Sequence, residues 1–141
     1  IDSVVRLHWW DADEAQLTAM AEDGLQGLLA GRRPSDQNYY LPKEEMQTLF
    51  EDDFLEGPGG LFYTPTDLWL EDEKDLDTSL AELFAPDTPG LASGLLVAFT
   101  HEYAMGDPDM HAKIEQCAET AEQNGMGFAF PLDFYTQRGL V

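Results

Sequence analysis

Gly94-Leu95-Leu96-Val97-Ala98-Phe99-Thr100, with Asp107-Pro108-Asp109-Met110 shortly after it, is the stretch on which the fold reading turns. Apolar side chains fall on both alternating faces of 94–100, the pattern of a strand covered on both sides. Asp107 then reads as a helix N-cap and Pro108 as the first helical residue, where a missing N–H costs nothing. Met110, Ile114, Cys117, Ala118 and Ala121 recur at helical spacing, with Lys113, Glu115, Gln116, Glu119, Glu122 and Gln123 over the remaining surface. Asn124-Gly125 ends that helix, since glycine accepts the left-handed conformation that closes one. Met126 to Phe130 is apolar again and reads as a short return strand. Strand, helix, strand over Gly94–Pro131 is the expected organising unit.

Upstream of it, Val4 to Trp10 alternates as a half-buried strand, with His8 between Arg6 and Trp10 as a packing histidine. Asp11 and Glu14 have capping-box spacing, and Leu17, Met20, Ala21, Leu25, Leu28 and Leu29 predict a helix closed by Gly31. Gly24 and Gly27 inside it suggest a close approach to a neighbour. Arg32 to Asn38 is a polar loop. Pro42, Met46, Leu49, Phe50 and Phe54 predict a second helix to about Leu55, and Gly57-Pro58-Gly59-Gly60 a turn. Leu61-Phe62-Tyr63 and Asp67-Leu68-Trp69-Leu70 are short strand candidates, as one bent edge strand or a hairpin. Asp77 is placed to cap a short helix through Leu80, Leu83 and Phe84, and Phe134-Tyr135 falls in a polar tail. The order β-α-α-β(β)-α-β-α-β predicts an α/β or α+β fold, one domain over residues 1–141, with about 4–5 strands in a mixed sheet and about 4 helices.

The length suits one core without metal or disulfide help. No run approaches the roughly 20 apolar residues of a membrane span, and no leader is visible. The single Cys117 excludes an internal disulfide and fits a reducing, cytoplasmic setting, though a plain periplasmic protein would show the same. Charge is the dominant number: 7 basic against 28 acidic residues, a net of −21. Residues 51–90 alone hold 12 acids and one base, a net of −11. Such a field repels nucleic acid and anionic lipid and attracts basic partners.

Motifs for chemistry are sparse. Neither a P-loop nor a dinucleotide glycine pattern occurs, and Gly57-Pro58-Gly59-Gly60 precedes a strand rather than a helix. His101, Glu102 and His111 near a strand end are an alternative metal or small-ligand set, but the spacing is not that of a zinc helix. The acidic run Glu71 to Asp77 lacks the order of an EF-hand loop and reads as solvated charge. Cys117 lies on an apolar helix stripe and reads as a buried, inert thiol. No serine-nucleophile elbow is present. No cofactor is implied.

The expected function is therefore a non-enzymatic, acidic protein-binding module of inhibitor or immunity type, covering a basic surface of a partner protein. Glu51, Asp52, Asp53, Glu71, Asp72, Glu73 and Asp75 are its expected contact residues, with Trp69 as anchor. The alternative is an enzyme or ligand-binding domain working through His101, Glu102 and His111. A third reading, acidity for solvation in high salt, draws on the scarcity of lysine, only Lys43, Lys74 and Lys113.

Overall fold

A parallel strand pair cannot be closed by a tight turn and needs a crossover, for which a helix serves. The computed structural model, which describes residues 3–7, 10–31, 38–86, 91 and 94–140, uses this device twice. Val4–Val5 (β1) and Gly27–Gly31 (β2) pair in parallel across the helix Glu14–Glu22 (α1). Leu68–Trp69 (β5) and Ala98–Phe99 (β6) pair in parallel across a connection that holds the helix Leu76–Leu83 (α3). The chain is mixed α/β. Among the described residues it has five helices, a four-stranded mixed sheet and a two-stranded sheet. It divides into two compact units, Ile1–Pro65 with Ala129–Val141, and Thr66–Phe128.

The first unit is built on the sheet β1-β2-β4-β3, where β3 is Leu55–Glu56 and β4 is Phe62–Thr66, antiparallel to it. Its turn is the expected glycine-rich one, a 3₁₀ segment at Pro58–Gly60. Leu17, Leu28, Ala30, Tyr39, Met46, Leu49, Leu61 and Tyr63 make the main core, with the helix Lys43–Asp52 (α2) on it. Tyr39 ties this core to its backbone: its hydroxyl accepts from Leu7 N–H at 3.2 Å and donates to Leu29 C=O at 2.8 Å. Burial pushes its phenol up to about 12. The Asn38 amide pairs with both backbone groups of Gly31, at 2.6 and 2.8 Å, as a neighbouring strand would. A second cluster joins Val4, Phe62 and Tyr135, the last on the helix Pro131–Gln137 (α5).

Five expectations are corrected here. The long first helix stops at Glu22, because Gly24 takes φ 97° and its neighbours close a Schellman motif: Leu25 N–H to Met20 C=O, Gly24 N–H to Ala21 C=O. Leu28 and Leu29 are then strand, not helix. Its capping box is Asp13 with Gln16, two residues beyond the expected pair, since Ala12 is buried in the core ahead of the helix. The Met126–Phe130 run forms no strand: Met126 N–H closes α4 (Pro108–Gln123) on Ala121 C=O, and Pro131 starts α5 instead. The short helix α3 is capped by Asp75 rather than Asp77. The two strand candidates at 61–70 belong to different sheets, and His8, Trp9 and the 32–37 loop lie outside the described residues.

In the second unit α4 stands as expected, capped by Asp107 with Pro108 in the first turn. Its Met110, Ile114 and Cys117 pack with Leu76, Leu80, Leu68 and Leu70 into one cluster. No described helix is long and apolar enough to cross a membrane.

Candidate functional site

The register of β5 on β6 sets Leu68 opposite Ala98 and Trp69 opposite Phe99, a constant sequence offset of 30. The same offset continues past both ends of the ladder. Val97 N–H donates to Asp67 Oδ2 at 2.7 Å, and His101 N–H donates to Glu71 Oε1 at 2.7 Å. Trp69 at the end of β5 and Glu71 in the turn after it meet Phe99 of β6 and His101 just beyond that strand. The Trp69 and Phe99 rings stack at 5.6 Å and 18°. His101 meets both edge-on, at 5.8 and 5.7 Å. The 3₁₀ turn Glu102–Gly106 then folds Tyr103 back onto the imidazole, at 5.0 Å and 11°.

Within this ladder Glu71 fixes the histidine. Its Oε1 takes the His101 backbone N–H and also lies 2.7 Å from the ring Nδ1. A carboxylate only accepts, so Nδ1 carries a proton and Nε2 of the neutral ring is a bare acceptor. The Tyr103 hydroxyl is farther from Nδ1, at 3.3 Å. Burial works to raise the Glu71 carboxyl, but hydrogen bonds from the His101 backbone, the Glu71 backbone and the His101 ring, with the attraction of the imidazole when it is protonated, outweigh it and hold the group below the usual carboxylate range. The His101 and Glu71 side chains are 21% and 15% exposed. Glu71 Oε2 and Trp69 Nε1 are enclosed without a hydrogen-bond partner among the described residues.

The acidic loop beyond is tied down by side-chain hydrogen bonds. Lys113 Nζ donates to Leu70 C=O and Glu73 C=O, both at 2.6 Å. Ser79 Oγ donates to Glu73 Oε2 at 2.6 Å. Asp75 takes the Thr78 hydroxyl and N–H, which lower its carboxyl. Asp72 and Asp75 stay exposed, while Trp69, Glu71 and Glu73 are half-buried.

The other expected contact residues fare differently. Glu51 and Asp52 are exposed at the end of α2, in the first unit. Asp53 is 0% exposed and closes α2 in the left-handed conformation, φ 60°, so it offers nothing to a docking partner. The set His101, Glu102, His111 is not assembled: His101 turns to Glu71, Glu102 is exposed, and His111 Nε2 lies 2.7 Å from Met105 C=O. Among the described residues no three His, Cys, Asp or Glu side chains form a group able to hold a metal ion. Cys117 is buried, and burial first, then Glu73, pushes its thiol up, away from the reactive thiolate. A shallow trough of about 610 Å³ runs along α1 past Asp13, Thr18 and Glu22, open to solvent.

Tyr103 and Phe99 were not foreseen as site residues. Their signal was the matched spacing of Trp69-x-Glu71 with Phe99-x-His101-x-Tyr103, which has meaning only once the two segments are known to pair in parallel. No family model, curated protein or solved structure matches the chain.

Proposed function

We propose that the chain is a small, non-enzymatic protein-binding module that covers a basic surface of a partner protein, as an inhibitor or immunity protein does. The observation that carries this reading is Tyr103, 74% exposed at the end of the Trp69–Phe99–His101 ladder. It stands in a unit with 14 acidic residues and two lysines, a net of −12. Of those lysines, Lys113 holds backbone carbonyls. A rigidly backed aromatic amid uncompensated acids is the composition of an anchor with electrostatic steering around it. Direct binding to nucleic acid runs against the same field, and the lone buried Cys117 suits a cytoplasmic setting.

Capture from the native host tests the reading. The expected partner is basic, and its affinity falls about tenfold or more between low and high salt, as steered association does. A neutral or acidic partner, or an affinity indifferent to salt, contradicts it.

A second reading uses the same pair. A carboxylate-oriented imidazole is the arrangement of a general base. Yet among the described residues the side chains hydrogen-bonded to His101 are Glu71 and the Tyr103 phenol, with no serine, threonine or cysteine nucleophile among them. Hydrolase turnover abolished by His101→Asn would favour this reading over binding.

A further inference from the structure

We infer that His101 is the recognition centre of the acidic unit, its Nε2 accepting an N–H from an arginine of the basic partner while the exposed Tyr103 ring receives the guanidinium plane. This rests on the protein-binding reading above and names the chemical group that the site selects. Four observations converge on it. Glu71 occupies Nδ1, so the neutral ring can present only a lone pair at Nε2. Nε2 has no hydrogen-bond partner among the described residues and belongs to a side chain still 21% exposed. The ring cannot turn away freely, since Tyr103 stacks on it and Trp69 and Phe99 hold its edges. An acceptor in a field this negative selects a cationic donor over a neutral one.

Arginine fits better than lysine. The guanidinium is planar, presents several N–H groups in a fixed fork and stacks on aromatic faces, whereas the ammonium is a strongly hydrated point charge. Tyr103 has one face on His101 and the other open. Glu71 is on this account a positioning residue: it acts through the imidazole, by choosing the tautomer.

The inference implies a pH dependence that carboxylate attraction alone does not. The titratable groups facing the imidazole are the Glu71 carboxyl and the Tyr103 phenol among the described residues. An imidazole that takes a second proton at Nε2 has no acceptor left there. Arginine binding then weakens as pH falls.

Nona-arginine and nona-lysine, titrated into the full chain and followed by nitrogen-15 NMR of the imidazoles, test this. The free protein should show His101 protonated at Nδ1 and bare at Nε2, and Glu71→Ala should let the tautomers mix. Nona-arginine should shift His101 Nε2 and leave His111 unmoved. His101→Asn, which keeps a donor toward Glu71 but has no atom at Nε2, should weaken nona-arginine by about tenfold, the worth of a hydrogen bond to a charged group, and abolish the pH dependence. Binding that stays salt-sensitive but ignores His101→Asn, or prefers nona-lysine, overturns the inference and leaves the protein-binding reading standing. An Nε2–H tautomer in the free protein also overturns it. No binding of either peptide at low salt overturns both.

Discussion

Glu71 holds a charge that its surroundings would otherwise suppress, and the sign of its effect on stability follows. Its folded-state carboxyl lies below the ordinary range, so its contribution is present above the unfolded value and is lost as pH falls through the lowered one. Glu71→Gln keeps the shape and an acceptor but removes the charge, and should cost about 1 kcal/mol at neutral pH, the difference between charged and neutral hydrogen bonds. The gap to the parent protein should narrow as pH falls below the ordinary carboxylate range and close only once the pH has passed the lowered value of the folded carboxyl. Urea unfolding at pH 7 and pH 3.5 measures both values; a gap that is constant with pH contradicts the assignment. Tyr39 behaves in the opposite sense. Burial raises its phenol to about 12, so its contribution is whole below the unfolded value near 10 and is lost as pH rises from there toward 12. Tyr39→Phe strands the Leu7 N–H and the Leu29 C=O. It should cost about 1–3 kcal/mol at neutral pH and shrink the alkaline loss, which denaturant melts at pH 8 and pH 11 would read.

Two glycines close together decide what the second element of the chain becomes. Gly24 turns the chain out of α1 at φ 97°, and Gly27 lets β2 pass under an aromatic ring. A Cβ on Gly27 would stand 2.8 Å from Tyr135 Cε2 and 3.1 Å from the Phe62 carbonyl oxygen. Gly27→Ala should therefore destabilise by about 1–3 kcal/mol through overpacking, whereas Gly24→Ala should cost about 1 kcal/mol through its left-handed backbone. Chemical denaturation of the two variants compares them, and a Gly27→Ala protein as stable as the parent refutes the close approach. The periodicity of Leu17, Met20, Ala21, Leu25, Leu28 and Leu29 reads as one helix because leucines at 28 and 29 suit a buried strand equally well. Only the strands on either side, β1 and β4, distinguish the two. Helix α4 was legible throughout because its signals are local: the Asp107 cap, Pro108, the apolar stripe and the Gly125 closure. The site was half legible. Trp69, Glu71 and His101 stood out as residue types, but in rival hypotheses. Their union depends on a register spanning 30 residues and a crossover, which no local pattern encodes.

At the scale of the molecule, charge is the property that most needs an explanation. Acidity as an adaptation to molar salt predicts unfolding in dilute buffer, whereas acidity for docking predicts a cooperative melt there; thermal unfolding in 20 mM and 1 M sodium chloride should show the latter. The docking account joins two parts with separable kinetics. Spread carboxylates set how fast a basic partner arrives, and the ladder from Trp69 to Tyr103 sets how long it stays. Tyr40, 66% exposed in the first unit, provides the control, since it has the same ring without the His101 stack. The most direct measurement is stopped-flow binding of nona-arginine to the parent, Tyr103→Ser and Tyr40→Ser proteins at 50 and 500 mM salt. The account predicts an association rate that falls steeply with salt in all three, and a faster dissociation in Tyr103→Ser alone. Equal dissociation rates for the two tyrosine variants, or association indifferent to salt, would contradict it.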